Sequence, residues 1–404
     1  MITRAFCKSA LMAATAGCVL ASVSAPALAE DGVDWILNMR LRAETVDMDG
    51  VANQAEAITL RTRFGFEAEL GEGFSFLVEG ENVTHLVDDF NDTVNGLAGY
   101  PVIADPEATE LNRLQLSWTN GDGFNTTLGR QRIILGDARY VGNVGFRQNE
   151  QTFNAAVFGW APTENISITY AYLDRVHRIF GDDHPAGELD LDSHALWGEF
   201  SSDAGKLTGF AILADVEGAA LLSSSTIGVN WRGSFGGDGQ PSWGYMLEYA
   251  HQSDYADNPL DISLDMFRAE ISVAQNGLSG RLGIESLEGN GTIGFLTPLA
   301  TLHKFQGWAD VFLATPANGV RDIYGQVGFA FPQAPFGESL NAAFVFHDFE
   351  SESGSMDLGS EIDFVIRSNL GNGFGAELKA AFYDGPTAGP TDRDKLWFGV
   401  TYQR

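Results

Sequence analysis

Hydrophobic residues alternate with small, polar or charged residues along most of the chain, with a period of two. In residues 242–252, for example, Trp243, Tyr245, Leu247 and Tyr249 share one parity. Because successive side chains of a β-strand point to opposite faces, each such segment predicts a strand with one apolar and one polar face. Segments of this kind begin near residues 33, 57, 74, 108, 124, 152, 164, 190, 205, 224, 241, 264, 278, 319, 337, 358, 373 and 393, which predicts about 18 strands.

The connections between these segments alternate between short and long. Short, glycine-rich ones lie at 71–73, 120–123, 276–277 and 369–373, and long ones at 87–108, 134–151, 174–189 and 288–318. This asymmetry is typical of an outer-membrane barrel, which has short periplasmic turns and long extracellular loops. The fold class predicted is all-β, a transmembrane antiparallel β-barrel. The alternative is a soluble secreted carbohydrate-binding or lytic β protein, such as a solenoid, which would show a fixed repeat of roughly 20 to 50 residues; the sequence has none.

The first 29 residues have the features of a cleaved signal peptide, which leaves residues 30–404 for the barrel. A short basic start precedes an apolar run from Ala10 to Val23, and Ala27-Leu28-Ala29 provides a small-residue cleavage site. Beyond it, no stretch approaches the ~18 to 20 continuous apolar residues of a spanning helix. An exported chain without such helices, but with barrel strands, is predicted to reside in the outer membrane of a Gram-negative cell.

The charge and the cysteine content exclude several classes of function. The formal net charge is −30, from 24 basic and 54 acidic side chains, so nucleic acid is not an expected partner. The two cysteines, Cys7 and Cys18, both lie in the export segment. The remaining chain can therefore form neither disulfides nor thiolate metal sites.

The charged residues of the strands share the polar parity. If the apolar parity faces lipid, they must face the lumen, since Arg or Lys on the lipid side costs ~2 to 4 kcal/mol at mid-depth. The sequence therefore predicts a water-filled channel lined by both signs of charge. The alternative is that these charges pair across strands and merely fill the lumen. The candidate pore-lining residues on this ground are Arg40, Arg42, Arg61, Arg63, Glu67, Glu79 and Arg113.

Two blocks of sequence resemble the alginate export family of outer-membrane porins. They are residues 110–153, with ELNRLQLSW, GRQR and YVGNVGFRQNEQTF, and residues 297–317, with TPLATLHKFQGWAD and TPA. The resemblance implies an 18-stranded barrel for an anionic polysaccharide, and a possible periplasmic export apparatus as partner. It also implies an electropositive path that adds Arg130, Arg132, Arg139 and Arg147 to Arg113, and Lys304 of the second block completes the candidate set.

The segment 289–318 is too apolar to extend into water. We expect it to fold into the lumen or over its mouth as a constriction, together with 134–151; the alternative is packing against the outer rim.

No catalytic, cofactor or metal site is predicted. The seven histidines are dispersed, and the G-x-G-x-x-G match at 289–294 lies in a loop rather than after a buried parallel strand. The function predicted is passive diffusion of a polar or anionic carbohydrate-type solute, with membrane lipid and lipopolysaccharide as surroundings. A general, weakly selective porin is the alternative.

Overall fold

The chain closes into a single barrel. The computed structural model describes residues 32–331, 334 and 337–404, so the export segment 1–29 lies outside the described residues. These form one 18-stranded antiparallel sheet in which β1 pairs with both β2 and β18. The strands are Val33–Met48 (β1), Ala55–Gly71 (β2), Phe74–Asp89 (β3), Ala108–Thr119 (β4), Phe124–Gln131 (β5), Thr152–Thr163 (β6), Ile166–His177 (β7), Glu188–Ser202 (β8), Gly205–Ala214 (β9), Ser224–Gly236 (β10), Ser242–Asp254 (β11), Ser263–Gln275 (β12), Leu278–Leu287 (β13), Val320–Phe331 (β14), Ser339–Glu350 (β15), Asp357–Gly371 (β16), Phe374–Asp384 (β17) and Arg393–Gln403 (β18). The predicted fold class is confirmed.

The apolar parity of the strands forms the outer surface. Leu247 and Phe267, on neighbouring strands, are each 45% exposed, whereas Glu248 and Arg268, which alternate with them, are buried and face each other in register. A belt of exposed apolar side chains around a closed barrel is the surface that hydrocarbon requires. The described residues contain no helix long and apolar enough to cross a membrane.

The two ends of the barrel differ as the connection lengths predict. Two-residue turns at Glu72–Gly73, Asn276–Gly277 and Asn372–Gly373 have positive φ at both positions. This conformation matches the twist of a tight antiparallel hairpin and favours Asn and Gly. The longest connections, residues 90–107, 132–151 and 288–319, all lie at the opposite end. We name them the β3–β4, β5–β6 and β13–β14 loops.

Apolar side chains of two of these loops pack against inward-facing strand residues. Phe295 and Leu299 of the β13–β14 loop are each 1% exposed and belong to the same buried cluster as Val141 of the β5–β6 loop. From the strands, the cluster takes inward residues such as Trp197 and Phe210. On the arc from β6 to β11, the inward face therefore departs from the predicted charged lining, because apolar loop residues fill the space there.

Candidate functional site

The charged side of the lumen centres on two arginines of adjacent strands. Arg40 of β1 lies opposite Arg61 of β2 in the register. Arg40 donates from Nε to Oε1 of Gln148 (2.8 Å) and from Nη1 to the carbonyl oxygen of Gly145 (3.0 Å), and Arg61 donates to Oδ1 of Asn38. Within the part of the chain that the structure describes, neither forms an ion pair with a carboxylate. Their positive charges are therefore not directly neutralised.

The next arginines along the same strands are paired. Arg42 contacts Asp105 of the β3–β4 loop and lies 3.4 Å from Glu44. Arg63 contacts Glu81 and lies 3.5 Å from Glu150 of the β5–β6 loop. These two arginines are therefore ion-paired, as in the alternative in which the lumen charges neutralise one another. Their pairs connect the β3–β4 and β5–β6 loops to the barrel wall.

Arg147 of the β5–β6 loop joins three carboxylates. Its guanidinium lies 3.1 Å from Glu44, 3.6 Å from Asp105 and 3.2 Å from Asp310. Burial disfavours the charged guanidinium, but the three carboxylates outweigh it and raise the pKa of Arg147. Burial likewise disfavours the Asp105 carboxylate, and Arg42 and Arg147 outweigh it and lower the pKa of Asp105. The cluster is charged and holds three loops, the β3–β4, β5–β6 and β13–β14 loops, against β1.

Two further candidates also have acidic partners. Arg113 donates from Nε and Nη2 to Glu79, each at 2.9 Å. Arg132 donates from Nε to Glu150 at 2.8 Å.

Arg139 and Lys304 lie beside one aromatic ring of the β13–β14 loop. Arg139 is buried, with its Nε 2.7 Å from Glu285, and its guanidinium lies over the ring of Phe305. Lys304 donates to the carbonyl oxygen of Asp137 at 2.8 Å.

Arg130 is not a lumen residue. On β5 it has the parity of Leu128, which is 45% exposed, and it pairs with outward-facing Leu114 of β4. Its Nη1 donates to the carbonyl oxygen of Leu111, and its Nε to Asn154. The assignment of Arg130 to the pore is therefore wrong, because alternation places it on the outer face near the loop end.

Glu67 has the inward parity of β2, near the short-turn end. It pairs in register with Asp34 of β1 and with Leu77 of β3.

Two adjoining cavities open on the short-turn side of the loops. The inner cavity, of about 680 Å³, is lined by Arg40 and by strand residues such as Glu285 of β13 and Asp322 of β14. The small inner cavity, of about 270 Å³, shares Arg40, Phe146, Arg367 and Glu377 with it. Together they are lined by seven lysine or arginine side chains and five carboxylates. Basic side chains therefore outnumber acidic ones in this lining, whereas acidic side chains outnumber basic ones in the whole chain.

A third cavity lies on the long-loop side. This outer cavity, of about 360 Å³, is lined by loop residues and by the first residues of β18. Its charged side chains are Arg147, Arg178, Arg393, Lys395 and one carboxylate, Asp310. Basic residues thus prevail in the cavities at both ends.

His303 of the β13–β14 loop lines both the outer and the inner cavity. Its Nδ1 lies 2.6 Å from Oδ1 of Asp310, and its Nε2 lies 2.6 Å from Nζ of Lys379 on β17. Phe146 stacks on the imidazole at 3.5 Å between ring centroids. The two cavities therefore meet at a histidine held by two loops and the wall.

None of the residues of this junction was predicted from the sequence as a site residue. Lys379 and Lys395 have the inward parity of their strands, which is visible in the alternation, whereas His303 and Asp310 lie in the second resembling block. Nothing in the spacing indicates that the two groups touch, because 76 residues separate His303 from Lys379. Across residues 32–331, 334 and 337–404, no group of three His, Cys, Asp or Glu residues is arranged to hold a metal ion.

Solved outer-membrane barrels share this fold. The chain is similar to OccAB4 of Acinetobacter baumannii, with a TM-score of 0.68, 12% identity, and coverage of 93% of this chain and 98% of that one. It is similar to the outer membrane protein opdK of Pseudomonas aeruginosa (TM-score 0.68, 13% identity, 92% and 98%) and to OccK9 (OpdG) of the same organism (0.69, 14%, 92% and 98%). No family model and no curated protein matches the chain.

These findings correct the resemblance to the alginate export family. The solved barrels named above are Occ- and Opd-type porins rather than alginate export porins, so the resemblance is wrong. The alginate-like polysaccharide and the export apparatus depended on that resemblance and lose their basis with it. The predicted location in the Gram-negative outer membrane is confirmed, since the chain has both the closed 18-stranded fold and its apolar outer belt.

Proposed function

We propose that the protein is a passive outer-membrane channel for small polar solutes that carry an anionic group, sugar acids included. The observation that carries this proposal is the excess of lysine and arginine around the cavities in a chain of net charge −30. Arg40, Lys304 and Lys379 line the inner cavity, and Arg147 and Lys395 line the outer one. Fixed positive charges lower the free energy of an anion that has shed part of its hydration shell.

Arg40, which lines both the inner cavity and the small inner cavity, is the central residue of a basic track along the cavities, and Arg61 lies opposite it on β2. Arginine presents several N–H donors in a planar fork that suits a carboxylate. In both residues, part of this capacity is used by neutral amide or carbonyl oxygens, which bind less strongly than carboxylates. A passing carboxylate can therefore compete for these guanidinium groups more easily than for the ion-paired Arg42 or Arg63.

The β5–β6 and β13–β14 loops form the constriction of the proposed channel. Their support is the set of contacts between loop and wall: Gln148 with Arg40, Arg147 with Glu44, and Asp310 with Lys395. The apolar contacts of Phe295 and Leu299 direct the passage away from the β6–β11 arc, toward the charged side.

The proposal is tested by single-channel recording in planar bilayers with glucuronate and glucose as competing solutes. The two sugars have nearly the same size but differ in charge. We expect glucuronate to interrupt the current at concentrations at which glucose does not, and the Arg40→Ala variant to shorten those interruptions. Equal effects of both sugars would favour a general sieve, and the absence of any conductance would contradict a channel.

A further inference from the structure

The junction between the outer and inner cavities is bridged by three polar side chains. Asp310, His303 and Lys379 form a continuous hydrogen-bonded chain, with 2.6 Å at each of its two links. Asp310 and His303 belong to the β13–β14 loop, and Lys379 belongs to β17. The chain therefore connects the loop to the barrel wall at the point where the cavities meet.

The hydrogen-bond partners of this histidine define its protonation when Lys379 is charged. An ammonium group has three donors and no acceptor, so Nε2 of His303 then accepts from Lys379. The remaining ring nitrogen, Nδ1, then carries the proton and donates it to Asp310. His303 is thus a neutral imidazole in the Nδ1–H tautomer.

A second proton on His303 would break the link to β17. Protonated Nε2 has no lone pair to accept from Lys379, and an imidazolium would stand beside an ammonium. Two neighbouring cations make the charged histidine still less favourable. Arg147 of the β5–β6 loop and Lys395 of β18 both bind Asp310. Asp310 is therefore shared among three positive partners once the histidine is charged.

Among the described residues, Lys379 forms no ion pair with a carboxylate within 4.0 Å; its nearest neighbours are aromatic rings. Its ammonium lies 3.9 Å from the ring centroid of Trp308, 4.6 Å from that of Phe146 and 5.4 Å from that of Trp397. Arg393 donates to the carbonyl oxygens of Ala309 and Asp310. The aromatic rings can stabilise the Lys379 ammonium, and the carbonyl oxygens can bind the Arg393 guanidinium. Neither group can accept a proton from His303.

One further carboxylate holds the loop from the side of β16. Glu361 accepts hydrogen bonds from the backbone N–H groups of Trp308 and Ala309, the latter at 2.7 Å. This second attachment holds the loop against β16 independently of the link between His303 and Lys379.

We propose that His303 is a proton-operated latch of this channel: neutral, it ties the β13–β14 loop to β17, and protonated, it releases that segment from the junction of the cavities. The inference rests on the proposed channel function and adds a regulation to it. Burial, opposed by Asp310, lowers the pKa of His303 to about 3, so the latch is closed at neutral pH and opens in strong acid.

The test compares single-channel currents of the full-length protein at neutral pH and near pH 3. The wild type should show a rise in current and in current noise on acidification. His303→Gln should lose this acid step, because the amide can accept from Lys379 and donate to Asp310 but cannot be protonated there. His303→Ala should be noisy already at neutral pH. The control is His251→Gln, since His251 also binds an aspartate, Asp265, at 2.7 Å but lies exposed on the outer face.

A second readout separates the latch from the channel. In ¹⁵N-histidine-labelled protein, the resonance lost in His303→Gln identifies His303, and we expect the Nδ1–H tautomer at neutral pH and titration near pH 3. A neutral His303 in a protein that conducts nothing would overturn the channel and leave the tautomer intact. A conducting protein in which His303 is an imidazolium at neutral pH, or in which His303→Gln keeps the acid step, would overturn the latch.

Discussion

The two sides of the barrel interior differ in what lines them. On the arc from β6 to β11, inward residues such as Trp197 and Phe210 pack against apolar loop residues. On the arc that runs from β12 through β18 to β1, charged inward residues border the cavities, and apolar contacts such as that of Phe312 with Phe349 and Tyr383 lie at the loop end. The outer face carries exposed apolar side chains on both arcs. The inward parity therefore decides where the lumen is filled and where a solute can pass.

The contacts between loops and wall therefore have two separate roles. Apolar contacts on the filled arc, where Phe295 is 1% exposed, supply hydrophobic free energy for docking. Ionic contacts on the charged arc fix the position of the loop without closing the space beside it. The following variants test whether the two tasks are separable.

The largest effect is expected for Asp310→Asn. The carboxylate is shared by Arg147, Lys395 and His303, so its loss leaves two buried cations with a weaker partner. Removing one member of a buried ionic network costs about 3 to 5 kcal/mol. We expect a loss of that order in the free energy of unfolding, measured by urea denaturation in lipid vesicles. Asp265→Asn, at an exposed ion pair, is the control and should cost less than about 1 kcal/mol; equal losses would contradict the buried network.

On the filled arc, Phe295→Ala should weaken loop docking without changing ion selectivity. Truncating a buried phenylalanine costs about 3 to 5 kcal/mol through lost transfer free energy and the remaining cavity. The control is Leu221→Ala, at a loop residue that is 53% exposed. Denaturation and reversal-potential measurements on both variants check the prediction. A change in selectivity in Phe295→Ala would show that the filled arc also conducts.

Acid should destabilise the docked loops in two overlapping pH windows. The pKa of His303 lies below its ordinary value of 6.5, at about 3, so the unfolded chain binds a proton that the folded chain does not. Stability is then lost as the pH falls from about 6.5 toward 3. Burial opposes ionisation of Glu150, but Arg63 and Arg132 outweigh it and lower its pKa from 4.5 to about 2, with loss between those values.

The pH dependence of the free energy of unfolding measures these windows. His303→Gln should flatten the upper window, and Glu150→Gln should flatten the lower one. Unchanged profiles in both variants would show that other groups carry the acid sensitivity.

The smallest effect is expected for Arg130→Ala. Arg130 lies on the outer face beside Leu128, so its removal should leave the ion selectivity unchanged. If the reversal potential of Arg130→Ala changed as much as that of Arg40→Ala, Arg130 would have to line the pore.

The sequence predicted the wall well because a strand in a lipid-facing barrel is decided locally. Every predicted strand start lies within two residues of the observed one. The apolar parity must face lipid whatever the neighbours are, so alternation alone identifies the outer face.

The interior was less predictable because its contacts join distant segments. The GRQR stretch gave Arg130 and Arg132 one parity, but β5 ends at Gln131, so Arg132 turns inward to Glu150 while Arg130 stays outside. The bridge from Lys379 to His303 joins a strand to a loop 76 residues away. The alternation of the strand predicted that Lys379 faces inward, but it could not predict that His303 is its partner.

The most direct test of a basic track on the charged arc is the reversal potential across a planar bilayer in a KCl gradient. The wild type should prefer chloride, and the double variant Arg40→Ala/Arg61→Ala should lose most of that preference, whereas Arg130→Ala should match the wild type. Cation preference in the wild type, or equal potentials in all three proteins, would contradict the account.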